Sequence, residues 1–577
     1  DDTAQYNTAY GFAAMDAITT GDQNTAVGYA AGGALTTGTG NVSLGYRAGL
    51  TLTTGHNNVA IGNNALLSED GDGFNVAIGA SALKDLNAGA DAYNVAVGHA
   101  AGENVTTGIK NTLIGGLAGD ALDTGNNNTA LGYNALGQET KGDRNVAVGA
   151  NALVTQNNTS NVDSYNTAIG YDAGTAMTTG IQNTLIGGLA GDALTIGNNN
   201  IAIGYLALST SVDGDSNTAI GYKALEDYED GDGNGHNTAV GASSQLNATT
   251  GEYNTSLGSL SMGTGVTTGD SNVAIGYKAA QALTSGGSNI IIGELAGANA
   301  AATSNNIAIG YKSLFTENNH GKNTAVGHQS LQTLRAGADG YNVAVGFEAG
   351  LTMTTGLYNV LLGAAAGDAI TTAEKNIAIG YGALGSEDTH GKNVAIGDSA
   401  LTTLNAGAYG FNVAVGHEAG TAMTTGLNNV LIGSQAGDAL TTGSGNVAIG
   451  HEALSAEDAH GRNVAIGYLT LQSQNAGALA YNVAVGYSAG IAVTTGVRNT
   501  LIGGLSGDAI TTGGDNVSLG YNSLSSNTIG NSNVAIGKDA MLTNVAADRN
   551  VAIGLGSLQN MTSATTVDTY NTAIGYA

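Results

Sequence analysis

A short apolar stretch bracketed by Asn and Gly recurs from one end of the chain to the other. Read as Asn-x-x-x-Gly, it returns 33 times, as NVAIG at Asn58–Gly62, NTLIG at Asn111–Gly115 and NVSLG at Asn41–Gly45. Of the 32 intervals between successive Asn residues, 24 are 17 residues and the other eight run from 18 to 21. With each coil numbered from its Asn, position 2 is Val, Thr or Ile and position 3 is usually Ala or Ser. Position 4 is Ile, Val or Leu in every copy but the first, where Tyr10 stands. So short a β-branched run, closed by Gly, reads as a strand. Units at a short fixed period, each too small to bury its own apolar face, predict a solenoid. The expected fold class is all-β: a parallel β-solenoid (β-roll or β-helix) of about 33 coils, running over residues 1–577 without separate domains.

Alternation along a strand puts positions 2 and 4 on one face and 1, 3 and 5 on the other. The larger residues at 2 and 4 predict that their face is the coil interior. The small face at 1, 3 and 5 is then expected to meet a neighbouring copy of the chain, because a strand apolar on both faces is buried on both. An Ala-Leu pair at positions 8 and 9 (Leu66, Leu136, Leu225) is expected to head a second short strand, and the rest of the coil, rich in Thr-Thr-Gly and Asn-Asn, to be loop. Asn residues stacked at one strand spacing form an amide ladder, here Asn58, Asn75, Asn94, Asn111 and Asn128, with Asn359, Asn376 and Asn393 further on.

A second period overlies the first. Between Asn323 and Asn533, one coil of 19 residues and three of 17 make a 70-residue unit. One coil per unit carries a large residue at position 3 (Leu361, Leu431, Leu501), and another carries His320, His390 or His460. Histidines four coils apart, about 19 Å along a stack, cannot share a metal within one chain. They read as loop residues of a duplicated unit.

Composition narrows the function classes. The net charge is −29 with only 16 Lys and Arg, which disfavours nucleic acid and anionic membrane surfaces as partners. There is no Cys for disulfides or thiolate metal sites, and no Trp or Pro. No apolar run reaches the roughly 18 residues of a membrane span, so membrane insertion is not expected. The chain enters the repeat almost at once and stops inside a coil, which reads as a stretch of a longer fibre.

The pattern N-[TV]-A-[IV]-G-Y-x-A-L-x-x-x-T-T-G-x-x, seen across Asn128–Leu136 and Asn41–Gly55, resembles the repeats of bacteriophage tail fibres and bacterial surface proteins. Its NVAIG core is similar to the head repeats of trimeric autotransporter adhesins of the YadA type, although the coil here is longer. The resemblance covers essentially the whole chain. It implies homotrimers in which three β-rolls pack around one axis, outside the cell or on a virion, and it carries over no catalytic residue.

Few residues suggest chemistry. Asp230, Asp232 and Asn234, followed by Gly235, match the opening of a calcium loop, and Asp70 and Asp72 form a shorter version. The Glu expected at the twelfth position is missing, with Gly241 in its place, so a solvated acidic loop competes with Ca²⁺ as the explanation. No cofactor is required, and no acid–base pair stands out, so no enzyme is expected. The expected function is a structural or adhesive fibre shaft, a phage tail fibre or cell-surface adhesin. Its partners are further copies of itself (homotrimer or filament) and a host-surface glycan or protein receptor. The alternatives are a monomeric solenoid of an extracellular filament or matrix and a glycan-degrading enzyme on the same scaffold. Coils stacked at one strand spacing each predict a rod of roughly 160 Å. Electron microscopy checks this, and a rod under half that length rules out one coil per repeat.

Overall fold

The computed structural model describes residues 3–229 and 234–576. The chain is an all-β parallel solenoid with one three-residue strand per coil, 33 in all, and the described residues contain no helix. It divides into two compact units, Asp1–Ser288 and Asn289–Ala577. The first holds sixteen of the coil strands and the second seventeen.

In both units successive strands pair in parallel and in register. In the first, Val59, Ala60 and Ile61 lie opposite Val76, Ala77 and Ile78. In the second, Val430, Leu431 and Ile432 lie opposite Val447, Ala448 and Ile449. Inter-coil hydrogen bonding runs beyond the strand. The N–H groups of Gly62 and Asn64 donate back to Leu44 O and Tyr46 O at 2.8 and 2.9 Å, and Leu66 N–H donates forward to Ala82 O at 2.9 Å. Positions 6 to 9, where a second strand is expected from the Ala-Leu pairs, therefore form a turn. Left-handed residues at positions 7 and 9 (Asn64, φ 55°; Leu66, φ 50°) bend the backbone too sharply for a strand. Two further pairings occur at the 21-residue coils: Gly142–Asp143 with Val162–Asp163, and Ala547–Asp548 with Val567–Asp568.

The faces of the strand are the reverse of the sequence expectation. Asn58, Ala60 and their equivalents at positions 1 and 3 are fully buried, whereas Val59 and Ile61 at positions 2 and 4 are only half-buried. The reason is the width of the coil. Seventeen residues enclose a narrow interior, and the wall facing the strand already contributes Ala at position 8 and one large apolar side chain. An Ala-sized residue at position 3 fits that gap, and the inward Asn meets backbone groups that need partners.

The large side chain comes from position 9, from position 12 or, as with Leu83 and Leu86, from both. Where position 9 is Leu, it fills the interior (Leu66, Leu136, Leu384). Where position 9 is Gly, position 12 fills it (Leu122, Leu194, Met423, Leu440). Leu at position 3 occurs where two such glycines leave room. A Cβ on Gly420 or Gly437 would come within 2.7 or 2.9 Å of the Leu431 methyl groups. The 70-residue period is thus a packing cycle of complementary sizes along the stack. At position 5, Gly62 has φ 135°, and a Cβ there would lie 2.4 Å from Gly79 O in the next coil. Both the conformation and the approach demand Gly.

Leu431 is accordingly a core residue, not an inter-chain contact. Leu431→Ala is expected to cost about 2–5 kcal/mol, and Ile432→Ala, at an outward position, less than about 1.5 kcal/mol. Denaturant midpoints with hydrogen exchange over coils 429–463 check this. Equal costs for the two substitutions would return position 3 to the surface.

Candidate interaction surface

The reversed faces turn an apolar strip outward at every coil. With the residue before each Asn taken as position 0, positions 0, 2, 4 and 6 all point away from the interior. Tyr341, Val343, Val345 and Phe347 form one rung, Tyr481, Val483, Val485 and Tyr487 another, and Tyr165, Thr167, Ile169 and Tyr171 a third. The outer aromatic rings of these rungs are about half exposed, with Tyr487 at 59%.

The rungs stack along each unit. At position 6, Phe12, Tyr29 and Tyr46 lie with centroids 5.5 and 5.2 Å apart. His451, Tyr468 and Tyr487 repeat the arrangement at 5.3 and 5.6 Å. Position 0 forms a second column, with Phe74 on Tyr93 at 5.0 Å and Tyr341 on Tyr358 at 5.5 Å. Parallel rings at about the inter-strand distance follow directly from in-register pairing. Position 0 also holds eight of the 16 basic residues: Lys110, Arg144, Lys322, Lys375, Lys392, Arg462, Arg498 and Arg549. Arg144 lies 5.3 Å from the Tyr165 ring centre, Lys322 5.0 Å from Tyr341 and Arg462 5.5 Å from Tyr481. Arg498 grips Asp515 in the same column through two bonds of 2.6 and 2.8 Å. The aromatics at position 6 are visible in the sequence. The position 0 column is not, until the parity of inward and outward residues is known.

The Asn residues lie opposite the strip, in the interior. Asn58 Oδ1 accepts from Asn75 N–H at 2.9 Å, Asn75 Oδ1 from Asn94 N–H at 3.1 Å, and Asn94 Oδ1 from Asn111 N–H at 2.9 Å. Asn111 accepts from Asn128 at 2.9 Å, and the same link joins Asn359 to Asn376 and Asn376 to Asn393, each at 3.0 Å. In most coils the amide Nδ2 also donates to a carbonyl fourteen residues on, as Asn111 does to Gly125 and Asn128 to Gly142, both at 2.9 Å. The ladder therefore runs from side chain to backbone as well as between side chains.

The acidic loop at Asp70 and Asp72 is held mainly through its backbone. Asp70 is exposed and Asp72 half-buried, with the Asp72 carboxyl raised above its usual range by burial. The hydrogen bonds of this loop run through its backbone: Asp70 O accepts from Thr53 N–H at 2.6 Å, and Asp72 N–H donates to Glu69 Oε1 at 3.0 Å. Asp70 and Asp72 belong to no cluster of three acidic or imidazole ligands among the described residues. Asp230 and Asp232 lie outside the described residues. Asn234 O accepts from the Tyr228 hydroxyl at 2.8 Å.

A set of buried acids at position 12 is the feature that sequence reading missed. Glu69, Glu139, Glu317, Glu387 and Glu457 are all fully buried. Each follows a Leu at position 9, so the interior is already filled and the carboxylate serves the turn. Glu317 accepts N–H groups of Asn318, Asn319, His320 and Ala336 at 2.8–3.3 Å. Glu139 accepts those of Lys141, Gly142 and Asn158 and the amides of Gln156 and Asn158. Glu387 accepts from His390 at 3.0 Å and Ala406 at 3.4 Å, and burial pushes its carboxyl up to about 7. The signal was present as a Glu three residues after the Leu, but nothing in one sequence distinguishes it from a loop acid.

A carboxyl raised from 4.5 to about 7 by folding binds its proton more tightly in the native state. The stability it contributes is full below about 4.5 and is lost as pH rises through 7. The unfolding midpoint is expected to fall between pH 5 and pH 8, and Glu387→Gln to shrink that fall. An unchanged slope in the variant would show that Glu387 is ionised in the fold across the whole range.

Among the described residues no helix is long and apolar enough to cross a membrane. No protein-family model matches the chain, and no curated protein matches it.

Proposed function

We propose that this chain is the shaft of an extracellular fibre, a phage tail fibre or cell-surface adhesin, in which three copies pack their outward strips around a common axis. The observation that carries the reading is the strip itself. An aliphatic column at position 4 and a β-branched column at position 2 run along the coils, with aromatic residues flanking them in many, and a parallel strand apolar on both faces calls for cover on both. An occupant must match a rung spacing of about 4.8 Å over many coils. A second copy of the same solenoid has that spacing by construction. The resemblance to tail fibres and YadA-type heads sets the number at three.

Such a shaft spaces and supports recognition of a host surface, glycan or protein, and carries no reaction. Contacts along its length are weak singly and add through repetition.

The mass in solution tests the proposal. The purified chain is expected at three times its 56.8 kDa. Val345→Asp, Val415→Asp and Val485→Asp together place a charge on position 4 of three successive 70-residue units. They are expected to shift the chain toward monomer while its β circular dichroism persists. A wild-type monomer at micromolar concentration would overturn the trimer. Release of reducing ends from a glycan polymer would place the protein among the depolymerases instead.

A further inference from the structure

The three histidine loops of the second unit have nearly the same sequence and differ in what their side chains have left to bind. They read Glu317-Asn318-Asn319-His320, Glu387-Asp388-Thr389-His390 and Glu457-Asp458-Ala459-His460. In each, the buried Glu accepts the backbone N–H of the His three residues on, at 3.2, 3.0 and 3.0 Å. This bond holds the His over the carboxylate.

In the first loop both Glu317 oxygens are engaged by N–H groups, and Asn318 stands where the other loops have Asp. In the second, the Thr389 hydroxyl occupies both potential ligands. It bonds His390 Nδ1 at 2.9 Å and donates to Asp388 Oδ1 at 3.0 Å. Ala406 N–H takes the second oxygen of Glu387.

In the third loop Ala459 replaces Thr389, and no hydroxyl bridges the imidazole to the neighbouring Asp. Glu457 is fully buried; its Oε1 accepts the His460 N–H, and its Oε2, which the Ala476 N–H approaches, has no donor within hydrogen-bond distance. His460 Nδ1 is a buried atom without a partner, 3.8 Å from Glu457 Oε1. Asp458 is exposed and reaches the same place from outside: one ligand atom from each of Glu457, Asp458 and His460 lies within 4.8 Å of the others. Its backbone is pinned, with its carbonyl accepting both the N–H and the hydroxyl of Thr441, at 2.6 and 2.8 Å. The carboxylate can therefore turn without moving the loop.

We propose that Glu457, Asp458 and His460 bind a zinc-class divalent transition metal, one per chain. Two carboxylate oxygens and one imidazole nitrogen suit zinc with water in the fourth position, whereas calcium and magnesium take sets of six or more oxygens. Ligands around tetrahedral zinc stand roughly 3.3–3.5 Å apart. The Glu457–His460 pair is close to that already, and a side-chain rotation of exposed Asp458 brings in the third. The ion ties an outer loop to a buried acid, and the His460 N–H bond to Glu457 serves as the outer support that orients both ligands.

The sister loops supply the control. Ala459→Thr copies a residue this fold already accepts at the equivalent position, so it is expected to leave the solenoid intact while its hydroxyl takes His460 Nδ1. Zinc chloride is titrated calorimetrically into the full chain at pH 7.5. The wild type is expected to bind one more zinc per chain than Ala459→Thr, and His460→Ala to lose the same site. Asp458→Asn is expected to weaken it at least tenfold. Zinc is further expected to slow hydrogen exchange at residues 457–460 in the wild type and not in Ala459→Thr. Equal zinc stoichiometry in wild type and Ala459→Thr would overturn the site. Displacement of the zinc by an equal concentration of calcium would overturn the assignment of metal class.

Discussion

Everything in this fold depends on the bond from one buried Asn side chain to the backbone of the next coil. Three residues of strand per coil are too few to hold a solenoid in register by themselves. The Asn adds an acceptor for the next Asn N–H and, in most coils, a donor for a carbonyl at the far side of its own coil's turn, as between Asn111, Asn128 and Gly125. A thin coil has backbone on every side of its interior and little apolar volume to offset an unsatisfied group, which costs roughly 1–3 kcal/mol when buried. An amide, with donor and acceptor on one short stem, is the side chain that satisfies both.

From that constraint the rest of the cross-section follows. With Asn inside at position 1, position 3 is inside too, and it must be small unless the opposite wall recedes. The wall recedes where Gly stands at position 9, and there Leu113, Leu185, Leu361, Leu431 and Leu501 enter. Where position 9 is Leu, position 12 need not be apolar, although Leu86, Leu334 and Leu404 still pack there. Five times it is a Glu that ties down its turn, and these buried acids come from the same interchange of Leu and Gly that sets the 70-residue period.

Outside, the same parity leaves Val, Ile or Thr at position 2 and an aliphatic residue at position 4, with aromatics or cations at positions 0 and 6 of many coils. In a sheet of in-register identical coils, any outward residue becomes a column, so a single preference per coil is amplified into a surface. This explains how a strongly acidic chain gathers half of its basic residues, with aromatic rings among them, into one column.

The sequence by itself determined the architecture. The Asn-x-x-x-Gly frame, its spacing and its β-branched centre required parallel stacked coils, because no other arrangement lets units of 17 residues bury anything. It also located the Asn ladder, whose members are identical in every coil. It could not decide which face of the strand is inside. Residue size pointed to Val59 and Ile61, and the structure put Ala60 there instead, because coil width is a property of the closed turn and not of the strand. The second strand expected at Ala65-Leu66 fails for a related reason: Leu66 takes a left-handed conformation to reach the interior. The roles of Glu457 and His460 are likewise invisible along the chain. Thr389 and Ala459 are equally ordinary loop residues until the fold places one hydroxyl, and not the other, against an imidazole.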